Sequence, residues 1–366
     1  MKKFWERNKH VIVLLIVWRI VLFFIEKAAP SFISLHDGYN GPIPWANHDG
    51  IHYLTIARSG YFQYSEAFFP LYPIIIHFLS TVQFIAPWIS ASVFSYGCFF
   101  LGIVLLHETL QRDHTSDAWW TILFLIAFPV SFFYTAVYTE GLFFLLSILV
   151  YVSVRQKKWF LVGLFGFLAS ATRLFGALLF LFAIIEYFSM GKKFWKLADL
   201  LYLFFIPFGL LFYMIYLYVR SGDPLLFFHI QPAFGANRSG SEIILVPQVL
   251  WRYMKIIFTA FLKPTPASYF ISVLELVATF FSYTVLVIGW IKKERWSLLI
   301  YGFLVVTLPT LTGTFSSMPR YLLSVFPLFF ILGKLDNKTI KYGLLYIFIA
   351  LQIVLSAMFL RGWFVA

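Results

Sequence analysis

Charged residues are scarce in this chain: Asp, Glu, Lys and Arg make up only 12% of its 366 positions, against roughly 25% in an ordinary soluble domain. That scarcity removes the polar coat a water-facing surface needs and excludes a soluble enzyme. Disorder is excluded as well, because 61% of the residues are hydrophobic and disordered chains are poor in bulky apolar side chains. Cysteine is nearly absent. The single Cys98 rules out an internal disulfide and, inside SYGCFFLGIVLL, reads as a small packing residue. No internal repeat, low-complexity tract or soluble domain is visible, so inverted-repeat transporter architecture finds no support.

What is present is apolar sequence in runs near twenty residues, the length that a helix rising about 1.5 Å per residue needs to cross a core about 30 Å thick. The mean hydropathy is +0.84. The fold class expected is all-α, a polytopic integral membrane protein of one domain over 1–366. Crossings are expected near 11–27, 89–106, 118–134, 139–154, 158–172, 174–190, 198–219, 268–290, 296–313, 320–333 and 341–360, about eleven transmembrane helices in all. Two further apolar stretches, near 68–86 and 243–262, read as interfacial or re-entrant helices.

Acidic residues are few, 16 against 28 basic ones, for a net charge of +12. In a soluble protein that excess would suggest nucleic acid; here it lies in short loops between apolar runs, and the nucleic-acid reading is discarded. Lys2, Lys3, Arg7 and Lys9 precede the first span. Arg155, Lys157 and Lys158 follow the fourth, and Lys192, Lys193 and Lys196 the sixth. Lys292, Lys293 and Arg295 come after the eighth, and Lys334, Lys338 and Lys341 after the tenth. All share one side if the two interfacial stretches do not cross, and the positive-inside rule makes that side cytoplasmic, with the N-terminus. MKKFWERNKH before VIVLLIVW imitates a secretory signal; no small-residue cleavage site follows and Arg19 interrupts the apolar run, so it reads as a retained span.

On the other side lies a long loop, 28–88, holding Asp37, Asp49, Glu66, His36, His48, His52 and Arg58. Most connections are short, so a loop this long is a candidate functional element. Within it DGIHYLTIARSGY reads as a short amphipathic helix with Tyr53, Ile56 and Ala57 on its apolar side. Asp49 suits a helix N-cap, and that reading stays open beside a functional one. His48 and His52, four apart, and His36 invite a zinc reading, but no HExxH or second cluster completes a site and no metal is expected.

A second outer loop, 220–267, carries Asp223, His229, Gln231, Asn237 and Arg238, followed by VLWRYMKIIFTAFLK, which reads as an interfacial helix with Arg252 and Lys255 snorkelling. Arg320, in SSMPRYLL, meets the membrane at the start of a span, where binding lipid headgroups is one reading. Arg173 lies near the outer end between two short spans, and Glu140, at the same depth, is a candidate partner, because a buried arginine is costly in a bilayer and faces a partner or cavity. Arg19, Glu186 and Glu275 read as packing or snorkelling residues.

The pattern W-x(3)-DG-x-HYL-x-IA-x(2)-GY followed by AFFPLYP resembles the first luminal loop of the PIG-V family, the second mannosyltransferase of glycosylphosphatidylinositol assembly and its prokaryotic relatives. The matching positions are Asp49, Tyr53, Ile56, Ala57, Gly60 and Tyr61, then Ala67, Phe68, Phe69, Pro70 and Pro73. YTEGLFFLLS to TRLFG (138–176), GDPLLFFHIQ (222–231) and PRYLLSVFPLF (319–329) resemble the prokaryotic members in the same order. Eukaryotic members carry a tryptophan directly before the aspartate, where His48 stands here, a departure that bears on the acceptor more than on the chemistry.

The resemblance implies a GT-C-like glycosyltransferase: a polyprenyl-phosphate mannose gives its sugar, with inversion, to a lipid or glycan hydroxyl at the outer face of the cell membrane. In that class an acidic residue of the first outer loop is the catalytic base, and the role carries over to Asp49. Burial would raise its pKa and strengthen it as a base. The departing phosphate needs cationic or N–H groups opposite the base: Arg320 first, then Arg173, with His229 and Arg238 behind them, arginine being suited by its bidentate fork. His52, Tyr53, Glu66 and Glu140 are candidates for supporting the loop or the acceptor. No cofactor is implied. The other class of function considered is a transporter or flippase of lipid-linked sugars, which would place ionisable residues midway through several spans or in paired broken helices.

Overall fold

The computed structural model describes residues 2–39, 41, 43–82, 85–112, 117–260 and 266–366. Among them every regular element is helical. In chain order these are α1 (Lys2–Phe32), α2 (Asp49–Ser59), α3 (Leu71–Val82), α4 (Pro87–Arg112), α5 (Ala118–Ala127), α6 (Glu140–Arg155), α7 (Trp159–Ser170), α8 (Phe175–Ser189), α9 (Leu197–Leu203) and α10 (Phe208–Ser221). After the short α11 (Leu226–His229) come α12 (Val246–Ala260), α13 (Pro266–Ile291), α14 (Trp296–Thr310), α15 (Met318–Tyr321), α16 (Phe326–Gly333) and α17 (Lys338–Leu360).

Among the described residues three helices are long and apolar enough to cross a membrane: Pro87–Arg112, Tyr269–Ile291 and Lys338–Leu360. The pair α9–α10, bent by 47°, makes a fourth if it is one span. The other expected crossings differ in length. The helices α5, α7, α8 and α14 run 10 to 15 residues, about 15–22 Å, and the stretch expected as one span at 320–333 is broken into α15, a 3-10 turn and α16. Proline explains part of this. A residue before proline avoids helical backbone, and Pro129, Pro207 and Pro327 follow the end of α5, divide α9 from α10 and open α16.

Broken helices leave backbone carbonyls without partners, which an apolar surrounding does not forgive. Side chains supply them. Gln352 Nε2 donates to the Ile126 and Phe128 carbonyls at the end of α5, both at 2.8 Å, and its own Oε1 accepts from Trp18 Nε1 at 3.0 Å. Ser170 Oγ donates to the Ile206 carbonyl at the α9–α10 bend, at 2.5 Å.

The central helix is α6, buried along nearly its whole length between α4, α7 and α8. Its approach to α4 depends on glycine: a Cβ at Gly141 would run into the backbone oxygens of Ser95 and Tyr134. Glu140 stands at one end of α6 and Arg155 at the other, about 22 Å apart along the axis. The Arg155 end faces a small charged cavity with Asp117, Glu294, Arg295 and Lys334, so the basic loops after α6, α13 and α16 meet at one end of the bundle.

The loop expected at 28–88 is tighter than that, since α1 continues to Phe32 and α4 starts at Pro87. It carries α2 and α3. The twelve residues of α3 extend about 18 Å. The loop expected at 220–267 carries α12, a fifteen-residue helix with Trp251, Met254 and Phe258 exposed.

Candidate active site

The site is built on the first turn of α2. Its backbone is fixed from several sides before any charged group is considered. The Val137 N–H donates to the Trp45 carbonyl at 2.7 Å, and Tyr138 Oη donates to the Asn47 carbonyl at 2.8 Å. Asn47 Nδ2 donates to the Phe359 carbonyl at 2.7 Å, and Trp45 Nε1 to Glu26 at 2.7 Å. His48, the residue before Asp49, is held at φ 54° and ψ −117°, a region that non-glycine residues avoid at a cost of order 1–3 kcal/mol and that is enriched at functional sites.

Asp49 does not act as the N-cap that its position allowed. It is the first helical residue, and His48 occupies the cap without a side-chain hydrogen bond. The Asp49 carboxylate instead meets Arg320: Nη1 donates to Oδ2 at 2.5 Å. Arg320 Nε faces Glu140 Oε1 at 3.7 Å, and the same oxygen accepts from Arg173 Nη1 at 2.6 Å. Four residues, three from the helices α2, α15 and α6 and one from the turn between α7 and α8, thus alternate in sign, Asp49–Arg320–Glu140–Arg173. The Arg320 guanidinium also lies over the rings of Tyr138 at 5.3 Å and Phe133 at 5.7 Å, contacts that favour a desolvated cation.

Within this network Asp49 is the reachable member. Its side chain is 25% exposed, against 10% for Arg320 and 2% for Glu140. Its pKa corrects the expectation from sequence. Burial, the largest single influence, pushes the carboxyl up, but the Arg320 guanidinium, by charge and by hydrogen bond, together with His52 and Arg238 outweighs it, and the group lies below the ordinary aspartate value. In the absence of substrate Asp49 is a stabilised carboxylate and not an activated base.

Arg238, from the connection between α11 and α12, reaches the same region. Its Nη2 is 3.5 Å from Ser317 Oγ and its Nη1 3.4 Å from Gln231 Oε1, with no carboxylate in ion-pair contact among the described residues, and its charge lowers the Asp49 pKa. His52, one turn after Asp49, is stacked on Phe68 at 4.8 Å and near-parallel to Phe62 at 5.7 Å. Burial pushes the His52 and His48 rings below the ordinary histidine value, with Asp49 pulling the other way. The two rings sit in different aromatic surroundings, His48 among Tyr39, Phe359 and Phe364. Among the described residues no three metal-ligating side chains gather. Tyr53 is buried under Phe68, Tyr72 and Tyr138 and supports the helix from below.

Two candidates lie elsewhere. His229 pairs with Asp223 at 2.6 Å on an exposed turn. Glu66 is buried in the 3-10 turn before α3, where its carbonyl accepts from Tyr213 at 2.6 Å and its charge acts on Tyr61 and Arg220. One residue read as packing proves to be hydrogen-bonded beside the site: Glu275 accepts from the Ser317 N–H at 3.0 Å and from Tyr253 Oη at 2.6 Å. The signal for it was present, since Glu275 is the only charged residue in 269–291.

From the far end of α2 an apolar groove of about 640 Å³ opens between α2–α3 and α7–α10, with Ala57, Tyr61, Pro70, Pro73, Phe167 and Phe212 among its walls. Comparison with protein-family models, with curated proteins and with solved structures returns no match, so the likeness to the PIG-V family rests on the motif residues themselves.

Proposed function

We propose that the chain is a membrane glycosyltransferase that moves a mannosyl group from a polyprenyl-phosphate donor to an acceptor hydroxyl, with inversion, at the extracytoplasmic face of a cell membrane. The eleven-crossing GT-C architecture and the cytoplasmic N-terminus belong to the same proposal. The observation that carries it is the Asp49–Arg320 pair: a partly open carboxylate and a buried guanidinium 2.5 Å apart, inside the motif that resembles the family.

The donor phosphodiester has one negative charge, and arginine grips phosphate oxygens with a bidentate fork. A donor whose phosphate takes up Arg320 and Arg238 withdraws the partner that holds the Asp49 pKa down, while burial remains and pushes it up. Asp49 then becomes a stronger base when the substrate is in place. The acceptor oxygen attacks the anomeric carbon from the face opposite the phosphate and its proton passes to Asp49. The bond from the anomeric carbon to phosphate breaks, and its electron pair leaves on the lipid phosphate, whose second negative charge meets the two arginines. Glu140 and Arg173 keep Arg320 in line from behind. The apolar groove beside α2 suits a prenyl chain, since its walls are mostly carbon.

A second reading, a carrier of lipid-linked sugars, draws on the bent α9–α10 pair and on the break before α16, because discontinuous helices mark transport sites. One experiment separates the two. Purified chain in vesicles receives radiolabelled polyprenyl-phosphate mannose and a lipid extract. Label in a new product supports the transferase; label crossing the bilayer without a product supports the carrier.

A further inference from the structure

We propose, resting on the reading of Arg320 as a phosphate-binding residue, that Glu275 is a positioning residue which sets Arg320 in place by holding the left-handed turn at Ser317.

Arg320 belongs to a helix of only four residues, Met318–Tyr321, too short to fix its own orientation. What precedes it is Ser317, at φ 64° and ψ 12°, a left-handed conformation that a residue with a Cβ adopts only when its surroundings require it. The Ser317 carbonyl accepts the Arg320 N–H at 3.1 Å and the Tyr321 N–H at 3.0 Å, so the backbone of Arg320 hangs from this one residue. The N–H of Ser317 is turned into the bundle, where Glu275 Oε1 accepts it at 3.0 Å.

Glu275 comes from the middle of a long apolar helix and is 4% exposed. A carboxylate in that position is costly unless it has partners and a task. Its second oxygen accepts from Tyr253 Oη at 2.6 Å, and Tyr253 Oη also lies 3.2 Å from Thr314 Oγ1, which accepts the Ser316 N–H at 3.1 Å. On the other flank Arg252 Nη1 donates to the Gly313 carbonyl at 2.6 Å. The segment 313–317 is thus gripped by α12 and α13 together, and Glu275 is the acceptor that meets the strained residue. In a water-poor surrounding a hydrogen bond is stronger than in water, which suits Glu275 to hold a conformation serine would otherwise leave.

The test uses the full chain in nanodiscs with four variants: Glu275→Gln, Glu275→Ala, Ser317→Gly and the double variant Glu275→Ala with Ser317→Gly. Donor KM and kcat are measured with polyprenyl-phosphate mannose, and amide hydrogen exchange is followed over 315–322. The expected result for Glu275→Ala is a rise in donor KM of about tenfold or more with faster exchange at Arg320 and Tyr321. Glu275→Gln, which keeps an acceptor, stays within about threefold of wild type. Glycine takes a positive φ without help, so the double variant recovers most of the loss. A role confined to packing α12 against α13 gains nothing from a glycine at 317.

Wild-type kinetics in Glu275→Ala, or a double variant as impaired as Glu275→Ala, overturns the proposal. Should wild type transfer no sugar, the proposed function falls and hydrogen exchange alone decides here. Faster exchange in Glu275→Ala that the added glycine slows again upholds the turn-holding role. Unchanged exchange, or exchange that the glycine does not slow, removes it.

Discussion

Arg320 Nη1 lies 2.5 Å from Asp49 Oδ2, a contact between residues 271 positions apart in the chain. It ties the connection between α1 and α4 to the broken segment before α16 and bears directly on the electrostatic state of Asp49, the more exposed carboxylate of the network.

The first consequence concerns stability. Removing Arg320 leaves Asp49 short of its partner and Glu140 with Arg173 alone, and breaking a buried pair from one side costs about 3–5 kcal/mol. Arg320→Met is expected to lower the unfolding temperature markedly. Adding Asp49→Asn removes the stranded charge and is expected to restore part of that loss. The double-mutant cycle reads the coupling directly; additive effects of the two changes would contradict the pair as described.

The second concerns pH. Arg320 holds the Asp49 carboxyl below its ordinary value, so in the free protein Asp49 stays ionised in acid where an ordinary aspartate takes up its proton. Its contribution to stability is present above that range and is lost as pH falls through the folded-state value. The acid limb of the transfer rate in kcat/KM therefore lies at low pH in wild type. In Arg320→Gln burial acts with less opposition and the limb moves upward. A limb that stays where it was would show that another group titrates.

A third follows from Gly141, which adjoins Glu140. A Cβ there would meet the Tyr134 carbonyl oxygen at 2.8 Å and the Ser95 backbone still closer, whereas Gly97, on α4, has nothing within 4 Å of its Cβ position. Gly141→Ala is expected to destabilise by about 1–3 kcal/mol and to reduce activity by displacing Glu140. Gly97→Ala, a better helix former in open space, serves as the control and leaves stability unchanged or raised. Equal melting temperatures for the two variants would contradict the close α4–α6 approach.

Local features were legible in the sequence because they depend on neighbours in the chain. The apolar pattern of Tyr53, Ile56 and Ala57 marks α2, and these residues are buried as that pattern requires. Pro70 and Pro73 mark the start of α3, which begins at Leu71. What the sequence hid depends on distant partners. Hydropathy over twenty residues does not register that Pro129 and Pro207 divide apolar runs, or that Gln352 and Ser170 close the resulting gaps from other helices. Glu275 and Ser317 are 42 positions apart, and nothing local to either names the other. The same holds for the Asp49 pKa: burial was foreseeable, while the cation that outweighs it comes from the far end of the chain.

The most direct test of the central claim compares wild type with Asp49→Asn in one transfer assay, using radiolabelled polyprenyl-phosphate mannose, a lipid extract as acceptor, and unfolding temperatures to confirm that both are folded. Asparagine keeps the shape and an acceptor for Arg320 but takes no proton, so the rate is expected to fall by about 10²–10⁴-fold. Transfer at the wild-type rate by folded Asp49→Asn would contradict the assignment of Asp49 as the base.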